Sequence, residues 1–503
     1  MDHLFAAIDF GSNALKLKII QMVSGEIEVL EDLSVPIRLG DEVYLSDVIK
    51  LDTVKKAVDI LLHFKRIMDD YGVKIYKAMA TSALRDAENS KSIIEIIRMK
   101  TGFEIEVVED TVEKFLTYKS MRDRIPNYKE VRKSAVLVEV NTGGFDVSLY
   151  SQNKLVKNDE IKLGIKELKY ILMDLEKRTT NYPNVLKELI QTRTSHLFPF
   201  ITIRRPNHFL AVGGEVKTIR EVIFDGKSIV HMAEFKETCE RAKRNDYDLR
   251  RRIERRGSNW YEFLATMLVY DVFTDLVKCE TLLIPDISLR DGILAELTEQ
   301  RFELTKYRDF NNDIYTLTGE ISKRYKSSEP HVKYLERTSL QFLRALKDYY
   351  GFHERDFLLL RLAANLHEIG KFTRIRDYLD TTYEKISNLD IFGLEHKETL
   401  LIAHVCRLIS SSERKHYTSD LRDLSDDEQI RVYKLAAILS VADALDKGKK
   451  QKIRIRKLEV TEDAFLIFVT RKEDAVLEEW SFRFTVENFE NTFGIRPELR
   501  DFE

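Results

Sequence analysis

The chain has 503 residues, of which 44% are hydrophobic and 33% are charged, a composition typical of a soluble protein with several domains. Its 81 lysines and arginines against 84 aspartates and glutamates leave a formal net charge of −3, which excludes a globally basic nucleic-acid-binding protein. No stretch approaches the roughly 18 apolar residues of a membrane helix, and the N-terminal sequence lacks the basic region of a signal peptide. We expect a cytoplasmic protein with neither DNA nor a membrane as partner, and with three free thiols, Cys239, Cys279 and Cys406.

The first 20 residues predict a β-hairpin. Residues 4–10 form an apolar run, Gly11-Ser12-Asn13 is a turn sequence, and residues 15–19 alternate between apolar side chains and lysines. The next predicted elements are an amphipathic helix with Asp52 as its N-cap and a strand at residues 74–80.

The opening pattern recurs about 130 residues later. Residues 135–140 form an apolar strand, residues 141–144 a turn, and alternating apolar side chains follow from Phe145 onwards. Superposing the two segments places Asp9 on Glu139, so that each unit carries one carboxylate where a strand enters a small-residue turn. Such a duplication predicts two similar lobes whose turns face a common cleft; the alternative is a chance likeness of two hairpins.

The rest of the chain divides into segments with strand patterns and segments with helical patterns. A third glycine turn, Gly213-Gly214, follows an apolar strand at 209–212, and long helical patterns replace strands after about residue 300. Alternating patterns return at 452–460, 465–469 and 480–484. We predict four domains: a first lobe at 1–125, a second lobe at 126–300, a helical domain at 301–450 and a small C-terminal domain at 451–503.

The Asp9 turn has the chemistry of a phosphate and metal site. Glycine allows the backbone to approach a ligand closely, turn N–H groups bind anions, and a carboxylate beside them can hold Mg²⁺. At the end of the next strand, Thr81 and Ser82 can donate to a phosphate, and Arg85 can fork onto its oxygens. The structural alternatives are an ordinary hairpin turn and a capped helix whose arginine forms a surface ion pair.

Five segments, in family order and spacing, resemble the Ppx/GppA family of exopolyphosphatases and guanosine pentaphosphate phosphohydrolases. Three belong to its core, residues 7–13 (AIDFGSN), 80–89 (ATSALRDAEN) and 289–294 (LRDGIL), and two to the helical half of its long members, residues 363–370 (AANLHEIG) and 441–446 (VADALD). The resemblance implies an α/β fold, with an actin-like, ribonuclease H-like core of two lobes, an HD-like helical domain and a small C-terminal α/β domain. It also implies a homodimer and Mg²⁺-dependent hydrolysis of a terminal phosphoanhydride in polyphosphate or guanosine pentaphosphate.

The same resemblance assigns roles to residues. Glu113 matches the catalytic glutamate, which activates water, and Asp146 is the second acidic residue of the catalytic pair. Asp9 and Glu139 are the candidate metal ligands. The candidate phosphate-binding residues are Gly11, Ser12, Asn13, Thr81, Ser82, Arg85, Gly143, Gly144, Gly213 and Gly214.

Three segments depart from the family pattern. Glu109-Asp110 replaces a Ser-Gly pair before Glu113, the loop at 139–146 loses two glycines and a serine, and Glu215 stands where the third loop carries threonine. Because losing one transition-state hydrogen-bond donor costs on the order of 3 kcal/mol, a second hypothesis stays open. The protein would then be a catalytically weakened sensor that binds guanosine tetra- or pentaphosphate, or polyphosphate.

The helical half offers a third hypothesis, a metal phosphohydrolase of the HD type. His331, His367-Glu368 and Asp443 follow the ligand order of that class, with Glu368 in place of the usual aspartate. The alternative is that these side chains serve helix packing or capping.

Overall fold

The computed structural model describes residues 3–23, 26–125, 127–302, 308–409, 421 and 424–502, and the chain divides into two units, Met1–Phe310 and Asn311–Glu503. None of the helices in the described ranges combines the length and apolar character needed to cross a membrane.

The first lobe of unit 1 is a mixed sheet covered by helices. Its strands are β1 (His3–Phe10), β2 (Ala14–Val23), β3 (Glu26–Pro36), β4 (Ile75–Ala80) and β5 (Ile105–Val107). Its helices are α1 (Leu39–Ser46), α2 (Leu51–Tyr71), α3 (Ser82–Asp86), α4 (Ser90–Thr101), α5 (Asp110–Arg124) and α6 (Tyr128–Val131). The strand order is β3-β2-β1-β4-β5; β2 pairs antiparallel with both of its neighbours, whereas β1, β4 and β5 run parallel.

The second lobe continues the chain. Its strands are β6 (Ser134–Val140), β7 (Phe145–Ser151), β8 (Lys154–Ile161), β9 (His208–Gly213), β10 (Ile229–His231) and β11 (Thr281–Leu283). Its helices are α7 (Ile165–Glu176), α8 (Tyr182–Thr194), α9 (Phe198–Arg204), α10 (Gly214–Thr218), α11 (Met232–Lys243), α12 (Tyr247–Arg255), α13 (Trp260–Thr274) and α14 (Leu289–Phe302). The strand order is β10-β11-β9-β6-β7-β8, so the path β8-β7-β6-β9-β11 repeats the order of the first sheet.

The duplication extends to the register of the strands. In the first hairpin Phe10 lies opposite Leu15, and in the second Val140 lies opposite Phe145. The pairing of β2 with β3 shifts between Ile19 and Ile20, and the pairing of β7 with β8 shifts between Leu149 and Tyr150, 130 residues later. Since bulges are specific features of a strand, their coincidence confirms the predicted actin-like pair of lobes.

Burial explains the main elements of the first lobe. In α2 the buried positions Val54, Ala57, Val58, Leu61, Phe64 and Met68 recur every three or four residues, so one face packs on the sheet. The helix begins at Leu51 after the N-cap Lys50, not after Asp52, which instead lies in its first turn. The elements β3 and α1 were not predicted from the sequence.

Helix α14 returns the chain to the first lobe. Its Leu289, Ile293 and Leu294 share a buried cluster with Phe5 of β1 and Leu116 of α5. Gly292 allows this contact, because a Cβ there would overlap the carbonyl oxygen of Leu116. This packing differs from the sequence-based boundary, which assigned residues 126–300 to the second lobe.

Unit 2 is mostly helical and ends in a small sheet. Its helices are α15 (Arg308–Arg324), α16 (Glu329–Tyr350), α17 (Glu354–Leu366), α18 (Tyr378–Ser387), α19 (His396–Arg407), α20 (Asp426–Ala444) and α21 (Val476–Phe493). The strands β12 (Ile453–Val460), β13 (Ala464–Arg471) and β14 (Arg496–Asp501) form a sheet in that order. The helical pattern after residue 308 and the first two C-terminal strands agree with the sequence analysis.

The alternation read at residues 480–484 was wrong as a strand signal. These residues lie in α21, where Phe482, Phe489 and Phe493 face the interior while Trp480 and Phe484 are exposed. An aromatic side chain on every second residue satisfied the period of a strand, but the longer run follows the period of a helix.

Candidate active site

A cavity of about 770 Å³ lies within unit 1 and is lined by residues of both lobes. Eleven of the sequence-predicted site residues line it: Asp9, Gly11, Ser12, Asn13, Thr81, Ser82, Arg85, Glu113, Glu139, Gly143 and Gly213. Gly144 and Asp146 are not among its lining residues, and Gly214 directly follows the lining residue Gly213 at the start of α10. Nine acidic and six basic side chains line the same cavity, so its wall is acidic on balance and a polyanion would need additional cations there.

The two duplicated turns form one edge of this cavity. In the first, the N–H of Gly11 donates to the carbonyl oxygen of Ala14 at 3.1 Å, and in the second, the N–H of Asn141 donates to the carbonyl oxygen of Gly144 at 2.8 Å. The carboxylates of Asp9 and Glu139 precede these turns on the central strands β1 and β6. The same backbone geometry thus presents one buried carboxylate from each lobe.

Glu113 lies in the first turn of α5, directly after the edge strand β5. Burial raises the pKa of the Glu113 carboxyl to about 7; Asp110 and Asp9 add to the shift, whereas Arg85 opposes it. The Arg85 Nη1 atom lies 3.5 Å from Glu113 Oε2. A carboxyl group with a pKa near neutrality can accept a proton from water and release it again within one catalytic cycle.

Arg85 is engaged by protein groups as well as lining the cavity. Its Nη1 donates to the carbonyl oxygen of Val108 at 3.2 Å, and its Nη2 lies 3.4 Å from Asp110 Oδ1. Ser12 and Ser82 share a hydrogen bond of 2.9 Å between their hydroxyl groups. These contacts hold the arginine and both hydroxyl groups at one wall of the cavity.

Lys114, which sequence reasoning missed, neutralises a row of acids behind the cavity wall. Glu139, Asp146 and Glu160 lie opposite one another on β6, β7 and β8. The Lys114 Nζ atom lies 2.8 Å from Asp146 Oδ1 and 3.1 Å from Glu160 Oε2, and it also pairs with Asp110 of its own helix. The ammonium group therefore compensates the negative charge that Asp110 brings to this segment.

The charged groups of this row shift one another's proton affinity. Burial raises the pKa of Asp146, and the ammonium group of Lys114 opposes that shift. Burial also raises the pKa of Glu139 well above its usual range, and the neighbouring Asp146 and Glu113 raise it further. Burial lowers the pKa of Lys114, but the surrounding carboxylates outweigh this effect and raise it.

A second lysine that the sequence analysis did not single out pairs with Asp9. Lys16 of β2 lies directly opposite Asp9 in the hairpin, with 3.1 Å between Nζ and Oδ2. The superposition of the two hairpins could have found it, because Lys16 occupies the register position that Asp146 holds in the second lobe.

The third loop begins where β9 approaches β6. Gly213 has a φ of +130°, and a Cβ at this position would overlap the carbonyl oxygen of Val140, so the loop requires glycine here. Glu215 follows in α10, where burial raises the pKa of its carboxyl to about 7, with Glu262 adding to the shift and Lys166 opposing it. Glu215 is thus partly uncharged at neutral pH.

The carboxylates of the cavity fit a magnesium ion bound together with a phosphate. Glu139 Oε2 is buried and has no hydrogen-bond partner among the described residues. This carboxylate oxygen is therefore open to bind the magnesium ion. Mg²⁺ commonly uses one or two protein carboxylates and completes its shell with water and substrate phosphates. Asp9 and Glu139 both line the cavity and meet this requirement, although Lys16 pairs with one oxygen of Asp9, whereas Asp146 does not line the cavity.

Comparisons with known proteins agree with this architecture. A model of the Ppx/GppA phosphatase family matches residues 18–301, and a model of Ppx/GppA phosphatase domain III matches residues 317–483. A guanosine-5'-triphosphate,3'-diphosphate pyrophosphatase of Vibrio vulnificus is 19% identical over 450 residues, 87% of each chain. One of Photobacterium profundum is 20% identical over 414 residues, 80% of each chain.

Solved structures share the fold over about 60% of the chain. A Ppx/GppA family member from Aquifex aeolicus is 18% identical, with a TM-score of 0.50 over 60% of this chain and 99% of that one. An exopolyphosphatase from Cytophaga hutchinsonii is 17% identical, with a TM-score of 0.50 over 59% of this chain and 98% of that one. Because the first family model alone covers more than half of its length, the chain belongs to the Ppx/GppA phosphatase family.

Proposed function

We propose that the protein hydrolyses a terminal phosphoanhydride bond and releases phosphate from guanosine pentaphosphate or inorganic polyphosphate, with Mg²⁺. The observation that carries the proposal is the position of Glu113, a half-buried carboxyl group with a pKa of about 7 that lines the same cavity as the two duplicated turns. The names of the relatives, pyrophosphatase and exopolyphosphatase, support the class of reaction.

The ionised Glu113 carboxylate accepts a proton from a water molecule in the cavity. The water oxygen then forms a bond with the terminal phosphorus, in line with the bridging P–O bond that breaks. The electron pair of that bond leaves with the shortened phosphate chain, and inorganic phosphate is the second product. At neutral pH about half of the Glu113 side chains are ionised, which suits proton transfer in both directions.

The turn amides hold the phosphates during this step. The backbone at Gly11–Asn13 and at Asn141–Gly143 lies at the cavity edge, and N–H groups in such turns bind phosphate oxygens. The hydroxyl groups of Thr81 and Ser82 and the guanidinium group of Arg85 add donors from the adjacent wall. In this proposal Asp9 and Glu139 hold Mg²⁺, which neutralises charge that develops on the phosphate oxygens.

The second candidate function, a sensor that binds the same ligands without efficient turnover, has an observation in its favour. Lys114 pairs with Asp146 and Glu160, and Asp146 does not line the cavity, which disfavours a catalytic role for this carboxyl group. The partly charged Glu215 at the third loop weakens binding of a phosphate there.

A phosphate-release assay on guanosine pentaphosphate and on polyphosphate, each with Mg²⁺ and with EDTA, tests the proposal. We expect Mg²⁺-dependent release from one of them, and a decrease of about 10²–10⁴-fold in Glu113→Gln because the general base is lost. Glu130→Gln, which removes an exposed glutamate paired with Lys133, is the control and should retain activity. Tight binding of either ligand with no release above background would instead establish the sensor.

A further inference from the structure

Four side chains of the types that bind metals converge in the helical unit, which contains none of the residues assigned to the hydrolase. His331 lies on α16, His367 and Glu368 follow α17, and Asp443 lies near the end of α20. One ligand atom from each lies within 4.8 Å of the others. Since both histidine side chains are only 1% exposed, the cluster is part of the interior and not a chance grouping on the surface.

The outer nitrogen of each imidazole is held by a hydrogen-bond acceptor. His331 Nδ1 lies 2.9 Å from Asp446 Oδ2, and His367 Nδ1 lies 2.9 Å from the carbonyl oxygen of Ala364. A carbonyl oxygen can only accept, so Nδ1 of His367 carries the proton and its Nε2 presents a lone pair. Outer-shell carboxylates and carbonyls orient the metal-binding histidines of known metalloproteins in the same way.

The inner nitrogens have no such partner. Nε2 of His331 and Nε2 of His367 are buried without a hydrogen bond to any described residue, and the two ring centroids are 5.3 Å apart. A carboxylate oxygen lies near each of them, Asp443 Oδ1 at 3.3 Å from His331 Nε2 and Glu368 Oε1 at 3.7 Å from His367 Nε2. Two buried nitrogens without hydrogen bonds are costly, unless a ligand between them and the carboxylates uses their lone pairs.

We propose that His331, His367, Glu368 and Asp443 bind one divalent transition-metal ion through two imidazole nitrogens and two carboxylate oxygens. Imidazole nitrogen favours ions such as Zn²⁺, Fe²⁺ and Ni²⁺ over Mg²⁺, so this centre differs in metal class from the magnesium site proposed for unit 1. Asp446 and Ala364 position the two imidazoles and do not touch the ion.

Three lysines compete with the ion for the carboxylate oxygens of Glu368 and Asp443. Lys371 and Lys449 each pair with one oxygen of Glu368, and Lys447 Nζ lies 3.1 Å from Asp443 Oδ2. Because each carboxylate oxygen has two lone pairs, it can accept a hydrogen bond from an ammonium group and bind the ion at the same time. The oxygen that faces His367 is Glu368 Oε1, which pairs with Lys371, so removing Lys371 should leave this oxygen to the ion and tighten metal binding.

Metal analysis of the full-length protein tests the proposal. The protein is purified without a histidine tag, stripped with chelator, and titrated with Zn²⁺ against a fluorescent chelator. We expect one tightly bound ion per chain in the wild type, at least a hundredfold weaker binding in His367→Gln, and tighter binding in Lys371→Met. His353→Asn, which changes an exposed histidine at the N-cap of α17 for another capping residue, should bind as the wild type does.

A spectroscopic measurement on the wild type guards against variants that fail to fold. The Co²⁺-loaded protein should show two paramagnetically shifted, exchangeable proton resonances, one from each Nδ1–H. Wild-type protein that binds no Zn²⁺, or His367→Gln that binds it with wild-type affinity, would overturn the proposal. Unchanged or weaker binding in Lys371→Met would remove Glu368 from the ligand set. None of these results depends on phosphate release, so the outcome is independent of the proposed hydrolase function.

Discussion

The pKa of Glu113 predicts an acidic limit to the reaction and a variant that moves it. With a pKa of about 7, only about a tenth of the Glu113 carboxyls are ionised at pH 6 and about nine tenths at pH 8. Phosphate release that needs the ionised base should therefore fall about tenfold below its plateau at pH 6. Asp110→Asn removes the neighbouring charge that contributes most to the raised pKa of Glu113. It also removes one carboxylate partner of Arg85, whose guanidinium group keeps its contact with Glu113. Both changes favour the ionised form, so the acid limb should move to lower pH.

The assay is kcat/KM for phosphate release from pH 5 to 9 at constant ionic strength and saturating Mg²⁺. The terminal phosphate of the substrate also titrates near pH 6, so each variant is compared with the wild type on the same substrate, where this contribution cancels. Asp86→Asn is the matched control, because Asp86 pairs with the same arginine through Nε at 3.6 Å but does not contribute to the shift at Glu113. An acid limb near pH 4.5 in the wild type, or an unmoved limb in Asp110→Asn, would refute the reasoning.

Two further predictions concern stability. Lys114→Met should destabilise the protein by about 3–5 kcal/mol, because Asp146, with a side chain only 2% exposed, loses its counter-charge. Burial raises the pKa of Asp146, so the native variant binds the proton more tightly than the unfolded chain does. Its free energy of unfolding should therefore fall as pH rises. Urea unfolding at pH 6 and pH 8 measures this, and a smaller loss of unfolding free energy at pH 8 than at pH 6 would contradict it. Gly213→Ala should cost about 1–3 kcal/mol, because φ is +130° and a Cβ would overlap Val140. Gly319→Ala, at an open position inside α15, should instead stabilise the protein by about 0.5–1 kcal/mol. Thermal unfolding measures both variants, and a higher melting temperature for Gly213→Ala than for Gly319→Ala would contradict the argument.

The duplicated core could be predicted because the repeat preserves local features. A strand, an acid and a small-residue turn recur at a fixed offset, and the matching of Leu15 with Phe145 follows from counting residues. The alternation around Trp480 misled because aromatic residues on both faces of a helix imitate the period of a strand. The third strand β3 and helix α1 carry exposed hydrophobic side chains such as Val29 and Leu45, which obscure their periodicity.

The charges of the site depend on tertiary contacts and were harder to predict. Lys114 follows Glu113 in the sequence, but its partners Asp146 and Glu160 belong to strands of the other lobe. Arg85 was expected to face phosphate, and only the structure reveals that it also pairs with Asp110 and Glu113. The proposed roles of these residues stay predictions, whereas the convergence of Arg85, Asp110 and Glu113 on one cavity follows from the fold.

The exchange of Lys16 for Asp146 at equivalent register positions gives the cleft a direction. Beside the first turn an ammonium group pairs with Asp9, and beside the second an acid lies opposite Glu139. A linear polyphosphate has two identical ends, yet it would meet the ammonium group of Lys16 beside the first turn and no equivalent group beside the second, because Lys16 lines the cavity and Asp146 does not. The two lobes therefore share a backbone pattern but not a charge pattern, and the proposed polyphosphate substrate would bind across the cleft in one orientation. Because its two ends are identical, either end can enter, and the polyphosphate is shortened from the end that enters first.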